Sequence, residues 1–379
     1  MRILLVLEAC GAGAGHHVID LADGLSRAGH DVFLIYSPLR AEADFENALS
    51  FMPRVTKREL PMRRAVGPSD WRSSRALKRL IKELGPFDIV HGHSSKAGAL
   101  LRLAANRSDS PRLYTPHAPI TMDPALSASA RFVYGAAERL LGHLCERIIC
   151  VSAAERDHLA SLGLSEDKLR VVHNGIKPLP PIDRDAIRRQ LQLDPDTICF
   201  GSVGRISHQK AVDRIISAFA MARGRMSNAH LAIVGDGPLL ADMQSLARSL
   251  GISQYVTFTG QANGIEMMAG FDVFLLPSRY EGLPYALLEA AASGLPIITT
   301  DVGGAGVVVR DGENGYVLPE QNVEQLADLL LELARREDLR HAMSHRSTEI
   351  AMQFTVDRMV ADTLDVYNEL LAAPGASDL

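Results

Sequence analysis

The chain has 379 residues, 47% of them apolar and 22% charged, so it is long enough for two domains of roughly 170–200 residues and too apolar for disorder. No run approaches the ~20 apolar residues that span a membrane, and the apolar start from Met1 to Leu7 is ended by Glu8 too soon for a secretory signal. The net charge of −5 divides unevenly: 23 Lys and Arg against 19 Asp and Glu up to Arg170, then 17 against 26. Four cysteines (Cys10, Cys145, Cys150 and Cys199) lie in apolar surroundings without CxxC spacing, which predicts reduced, buried thiols and a cytoplasmic setting.

Short apolar runs alternate with amphipathic segments from end to end. In the first half the strand-like runs are Arg2 to Leu7, Asp31 to Tyr36, Ile89 to His91, Arg112 to Thr115, Arg147 to Val151 and Val171-Val172. Between the second and third, Arg54 to Lys82 carries ten basic residues against Glu59 and Asp70. Leu77, Leu80, Ile81 and Leu84 give this segment one apolar stripe. Its basic side is either a solvated helix face or a patch for anionic lipid head groups. Nucleic acid is not expected as a partner, because Trp71 alone interrupts the basic run with an aromatic ring. The Pro-rich stretch from Lys177 to Pro181 reads as a turn and stiff linker. Beyond it the pattern repeats with Ile198 to Val203, His230 to Val234, Val256 to Thr259, Val273 to Leu276, Ile297 to Thr299 and Gly315 to Leu318. The expectation is two doubly wound parallel sheets, in domains 1–176 and 177–355, with a final helix in 356–379 that packs back on the first domain. Ligands then belong in the loops after the strands.

Several of those loops carry candidate chemistry. Gly13, Ala14 and Gly15 follow the first strand, where small residues let a backbone approach a phosphate. The spacing is GxGxG, not the GxGxxG of a dinucleotide site, and Tyr36-Ser37 stands where a ribose-binding acid would be wanted. Arg205 and Lys210 flank the turn after the strand ending at Val203. A lysine at a helix N-terminus opposes the macrodipole unless an anion joins it, which points to phosphate. Lys96 shows the same placement in the first half. His117, between Pro116 and Pro119, is a candidate ligand contact. Ser152 with Glu155 reads as a capping box, Gly235 to Pro238 as a turn and helix start, and Asp194-Pro-Asp196 as a turn rather than a metal motif. Glu281 and Glu289 bracket the run Gly-Leu-Pro-Tyr-Ala-Leu-Leu, with Glu281 in a loop and Glu289 on the following helix. Two carboxylates in so apolar a setting imply a partner or ligand that satisfies both.

Together these residues resemble the retaining glycosyltransferases of family 4, over nearly the whole chain. The most specific element is the Glu281–Glu289 run followed by Gly294-Leu-Pro296; the glycine loop alone is not specific. The resemblance implies the GT-B fold: α/β, with two Rossmann-like doubly wound domains facing a central cleft. The His93-Ser-Ser-Lys-Ala-Gly98 and Tyr114-Thr-Pro-His117 segments look most like bacterial members that assemble polysaccharides. It further implies a nucleoside diphosphate sugar as donor, with Arg205 and Lys210 on its diphosphate and Glu289 on the ribose. Glu281, with the amides of Gly282 and Leu283, would contact the transferred sugar. Gly13, Ala14 and Gly15 would close on the diphosphate, His117 would touch the donor sugar, and Gln261 to Asn263 would hold the base. Glu281, His117, Arg205 and Lys210 would be the catalytic set, with no metal and no other cofactor. His16 and Lys96 would lie on the acceptor side, the acceptor being a glycan or polyprenyl-linked intermediate at the inner face of the membrane. Two positions depart from the family pattern: Val307 stands where a glutamate often follows the Gly303-Gly304 pair, and His16 where an acid is common. A nucleotide-sugar 2-epimerase of the same fold and a non-catalytic sugar-binding protein are the alternatives.

Overall fold

The computed structural model describes residues 1–105, 110–226, 228–319 and 322–372. It divides into two units: Met1–Gly175 together with the chain from Val356 onward, and Ile176–Thr355. Residues 373–379 of the expected C-terminal segment lie outside the described residues.

The first unit is built on seven parallel strands: β1 (Arg2–Leu7), β2 (Asp31–Tyr36), β3 (Thr56–Glu59), β4 (Ile89–His93), β5 (Arg112–Thr115), β6 (Arg147–Cys150) and β7 (Leu169–Val171). Their order is β3-β2-β1-β4-β5-β6-β7. Ile3 to Leu7 have no exposed surface, as befits a central strand covered by helices on both faces. β3 falls within the basic segment, where no strand was expected. Thr-Lys-Arg-Glu has neither an apolar run nor alternation, and it forms a strand because Phe33 to Tyr36 offer a free edge to pair with. Polar and basic residues suit such an edge, since they discourage pairing with other chains. After an irregular stretch over 60–68, the basic segment continues in the helix Ser69–Leu84. Leu77, Leu80, Ile81 and Leu84 pack against Leu4, Val6, Ile35 and Val90, so the apolar stripe faces the sheet as read from sequence.

On the opposite face lie the helix Ala12–Arg27 and the terminal helix Val356–Ala372. Val356, Met359, Val360, Val366, Tyr367 and Leu370 share a core with Val18, Leu21, Ala22 and Leu25. A β-carbon on Gly24 would lie 2.4 Å from a Val360 methyl, so glycine lets these helices touch closely. The terminal helix also bonds to the sheet, where the Tyr367 hydroxyl meets His91 Nδ1 at 2.8 Å and both groups are buried.

The second unit repeats the plan with β8 (Ile198–Val203), β9 (Ala229–Val234), β10 (Val256–Gly260), β11 (Val273–Leu276), β12 (Ile297–Thr300) and β13 (Gly315–Leu318). The order is β10-β9-β8-β11-β12-β13, all parallel. All four cysteines are free and buried. Among the described residues no helix is long and apolar enough to cross a membrane.

Tyr367→Phe removes one hydroxyl and leaves a His91 ring nitrogen buried without its partner. It should lower the unfolding free energy by ~1–3 kcal/mol in a urea titration. An unchanged midpoint would show that this bond does not help to hold the terminal helix.

Candidate functional site

In each sheet the strands progress outward in both directions from the first one, so the connections reverse between β1 and β4 and between β8 and β11. Such gaps are where doubly wound folds bind ligands.

Around β8 and β11 the two loops are tied together. Arg279 donates its backbone N–H to Gln209 O (2.8 Å) and its guanidinium to His208 O (2.6 Å) and to the Asp213 carboxylate (2.7 Å). The Gln209 amide donates to Tyr280 O (3.1 Å) and Glu281 Oε2 (3.3 Å). Lys210 Nζ lies 2.7 Å from Glu281 Oε1, which also accepts from Ser278 Oγ at 2.8 Å. Glu281 is buried, and the cost of its charge is met inside the protein. Of the partner or ligand expected for the two carboxylates, Glu281 has the partner, within the protein. Glu289, on the helix Tyr285–Ala292, is half-buried and already engaged. Lys210 also differs from the reading as a helix N-terminal lysine. It closes the short turn His208–Lys210, and Ala211, left-handed at φ 54°, separates it from the helix Val212–Arg223.

Arg205 is exposed and makes no hydrogen bond or ion pair with the described residues. Its loop is shaped by two glycines that sequence reasoning assigned to a turn and helix start. A β-carbon on Gly235, at φ 130°, would lie 2.1 Å from Gly204 O, and one on Gly237 would lie 2.3 Å from Ile206 O. Gly303, at φ 53°, packs in the same way against the carbonyls of Glu281 and Gly282. Gly282 and Leu283 are buried beside it. Gln261 and Asn263 are exposed, and Asn263 is occupied as the cap of the helix Gly264–Met268. Gly264 packs on Val203 at the end of β8, which brings this turn to the same end of the sheet.

In the first unit, Gly13, Ala14 and Gly15 lie in the first turn of the helix Ala12–Arg27 rather than in a loop, because Gly11 already takes the capping position. The opening N–H groups of a helix have no partner within it, so Gly13 and Ala14 still offer donors to an anion, whereas the Gly15 N–H already donates to Gly11 O at 3.4 Å. His16 sits 3.2 Å from the Asp20 carboxylate on its own helix. Lys96 is already paired within the first unit: its ammonium lies 2.6 Å from the Asp70 carboxylate and 3.0 Å from Ala65 O.

Sequence reasoning named His117 but missed the histidines gathered around it at the β1–β4 gap. His17 (2% exposed) places Nδ1 3.0 Å from Asn174 Oδ1. His93, at the end of β4, has no exposure and sets Nδ1 3.2 Å from His117 Nε2. The His91 ring lies against His93 at a tilt of 36°, with centroids 4.0 Å apart. Burial holds His17 near a pKa of about 4, and holds His91, His93 and His117 well below the ordinary imidazole value, so all four rings are neutral at pH 7. The signal was in the sequence, since His91 and His93 are two apart on a strand and share a face. His117 and Ala118 are both left-handed, at φ 57° and 61°. Glu155 holds this strained turn by accepting the N–H of Ala118 (2.7 Å) as well as that of Val151 (2.7 Å). The capping box is therefore half right: Ser152 accepts from Glu155 N, but the Glu155 carboxylate reaches Val151 and Ala118 instead of returning to Ser152.

Comparison with known proteins gives the following matches. A sequence profile described as glycosyltransferase family 4 matches residues 11–178, and one described as glycosyl transferases group 1 matches residues 183–349. The Escherichia coli UDP-Gal:alpha-D-GlcNAc-diphosphoundecaprenol alpha-1,3-galactosyltransferase is 26% identical over 312 residues, 80% of each chain. A D-inositol 3-phosphate glycosyltransferase of Actinosynnema mirum is 29% identical over 76% of this chain and 73% of its own. The structure of Anabaena Alr3699/HepE in complex with UDP and glucose shares the fold, with TM-score 0.82 over 97% of this chain and 100% of its own at 19% identity.

Two variants test this geometry. Lys210→Met leaves Glu281 buried and uncompensated, so stability should fall by ~3–5 kcal/mol in chemical denaturation, and adding Glu281→Leu should recover most of the loss. No recovery in the double variant would contradict the pairing. Glu155→Gln places an amide donor against a backbone N–H and should loosen the His117 turn. Burial raises the Glu155 carboxyl from 4.5 to about 7, against the pull of its two backbone N–H bonds. The folded state thus keeps this proton to higher pH than the unfolded chain, and the group's contribution to stability falls as pH rises through that window. The stability difference between wild type and Glu155→Gln should shrink from pH 4.5 to pH 7; a constant difference would contradict it.

Proposed function

Because the chain belongs to glycosyltransferase family 4, with its two-unit GT-B architecture, we propose that it moves a hexosyl unit from a nucleoside diphosphate sugar to an acceptor hydroxyl, with retention at the anomeric carbon. The observation that carries this reading is the β8–β11 gap, where an exposed, unengaged Arg205 stands on a glycine-shaped loop beside the Lys210–Glu281 pair. The name of the Escherichia coli relative pairs UDP-Gal with a diphosphoundecaprenol-linked sugar, and the Anabaena neighbour holds UDP and glucose. Both support a nucleotide-sugar donor here, and the first supports a lipid-linked acceptor.

On this reading Arg205 and Lys210 stabilise the departing diphosphate, Lys210 turning part of its charge from Glu281 to the phosphate oxygens. The bond from the anomeric carbon to phosphate oxygen breaks, and a bond to the acceptor oxygen forms on the same face. The acceptor proton passes to the leaving phosphate. Glu281, held by Lys210, Ser278 and Gln209, positions the sugar together with the Gly282 and Leu283 amides, and Glu289 binds the ribose. Within the first unit, the family resemblance gives the first-turn amides of Gly13 and Ala14 a role toward phosphate and the His117 ring a role toward the donor sugar. The two cations meet the leaving-group charge, so transfer itself requires no metal ion. The exposed Arg63, Arg64, Arg72, Arg75, Lys78 and Arg79 form the surface by which the enzyme docks on anionic lipid at the cytoplasmic membrane.

A panel of nucleotide-sugars screened for slow release of nucleoside diphosphate should single out one donor. Arg205→Ala should reduce its turnover by ~10²–10³-fold with an unchanged melting temperature, since the side chain is exposed and unengaged. Near-wild-type turnover in that variant would remove the donor-site assignment. Co-sedimentation with phosphatidylglycerol vesicles should fall as salt rises, and binding insensitive to lipid charge would remove the docking surface.

A further inference from the structure

We propose that His17, His93 and His117 form a binding site for a zinc-like transition-metal ion in the first unit, and that the bound ion withdraws His117 from the sugar. The blocking half rests on the role given to His117 above; the binding half does not.

The three side chains come from three separate elements: the helix after β1, the end of β4 and the turn after β5. One ring nitrogen from each lies within 4.8 Å of the other two. Tetrahedral zinc holds nitrogens at about 2.0–2.1 Å and hence about 3.4 Å from one another. His93 Nδ1 and His117 Nε2, 3.2 Å apart, already have that spacing. Asn174 fixes His17 in the way outer partners fix metal-bound imidazoles: the amide oxygen takes Nδ1–H and leaves the Nε2 lone pair free. His91 is excluded as a ligand because its two nitrogens are taken by Tyr367 and Thr115, both at 2.8 Å, but its tilted ring packs against His93 and helps to fix it. The buried Asp20 carboxylate near His17 offsets part of the ion's charge. Three imidazoles without a carboxylate ligand select zinc, cobalt, nickel or copper over magnesium and calcium, and leave one position open to water.

Untagged protein stripped with a chelator and titrated with Co²⁺ alone should bind one ion per chain and develop the visible absorption of a tetrahedral site, which Zn²⁺ then displaces. His17→Gln and His93→Gln should each weaken Co²⁺ binding by more than ~10-fold with unchanged far-ultraviolet circular dichroism, and the exposed His143→Gln should not. Absence of the band, or a band unchanged in folded His17→Gln, would overturn the site. These measurements involve no sugar, so they stand or fall independently of transferase activity. Zn²⁺ should inhibit donor turnover in wild type, reversibly with EDTA and far less in His17→Gln. A metal-loaded enzyme of full activity would overturn the blocking role.

Discussion

A parallel sheet wound outward in both directions from its first strand leaves one pair of neighbouring strands whose following chains diverge. The ends of those strands face no crossing chain, so polar groups can gather there without a helix covering them. Both sheets place their concentrated polar chemistry at this gap: histidines at β1–β4 and an ion pair with an unengaged arginine at β8–β11. The surrounding strands are buried and almost wholly apolar, which confines chemistry to these two places.

Two buried carboxylates show how each gap is held. Glu281 accepts from Lys210, Ser278 and Gln209, and its loop is thereby fixed to the loop after β8. Glu155 has only backbone N–H donors, so burial raises its pKa, and its two bonds hold the left-handed turn that presents His117. Glycines complete the second arrangement, because at Gly235 and Gly303 any side chain would strike the carbonyl of a neighbouring loop. Charge and close backbone approach act together here: the glycines set where the Arg205 and Glu281 loops lie, and the ion pair holds them to each other.

The fold was largely legible in the sequence. Buried parallel strands are continuous aliphatic runs, so β1, β2, β5, β8, β11 and β13 could be bounded without a structure, and the 77–84 stripe predicted the face its helix buries. β3 was not legible, because Thr-Lys-Arg-Glu carries no apolar run and becomes a strand only through the partner it pairs with. The residues around the second gap were legible as well, since Arg205, Lys210, Glu281 and Glu289 are residue types that carry a cost unless something meets it.

Tertiary structure alone decided what meets that cost. Lys96 and Lys210 look alike in sequence, each a cation near the start of a helix, yet Lys96 is held by Asp70 on another helix and Lys210 by Glu281 at the β8–β11 gap. The convergence of His17, His93 and His117, separated by 76 and 24 positions, depends on strand order, which no local pattern encodes. Periodicity and local propensity act over a few residues and are written in the chain. Pairing of charges and gathering of rings act across it, and they exist only once the sheet has set its order.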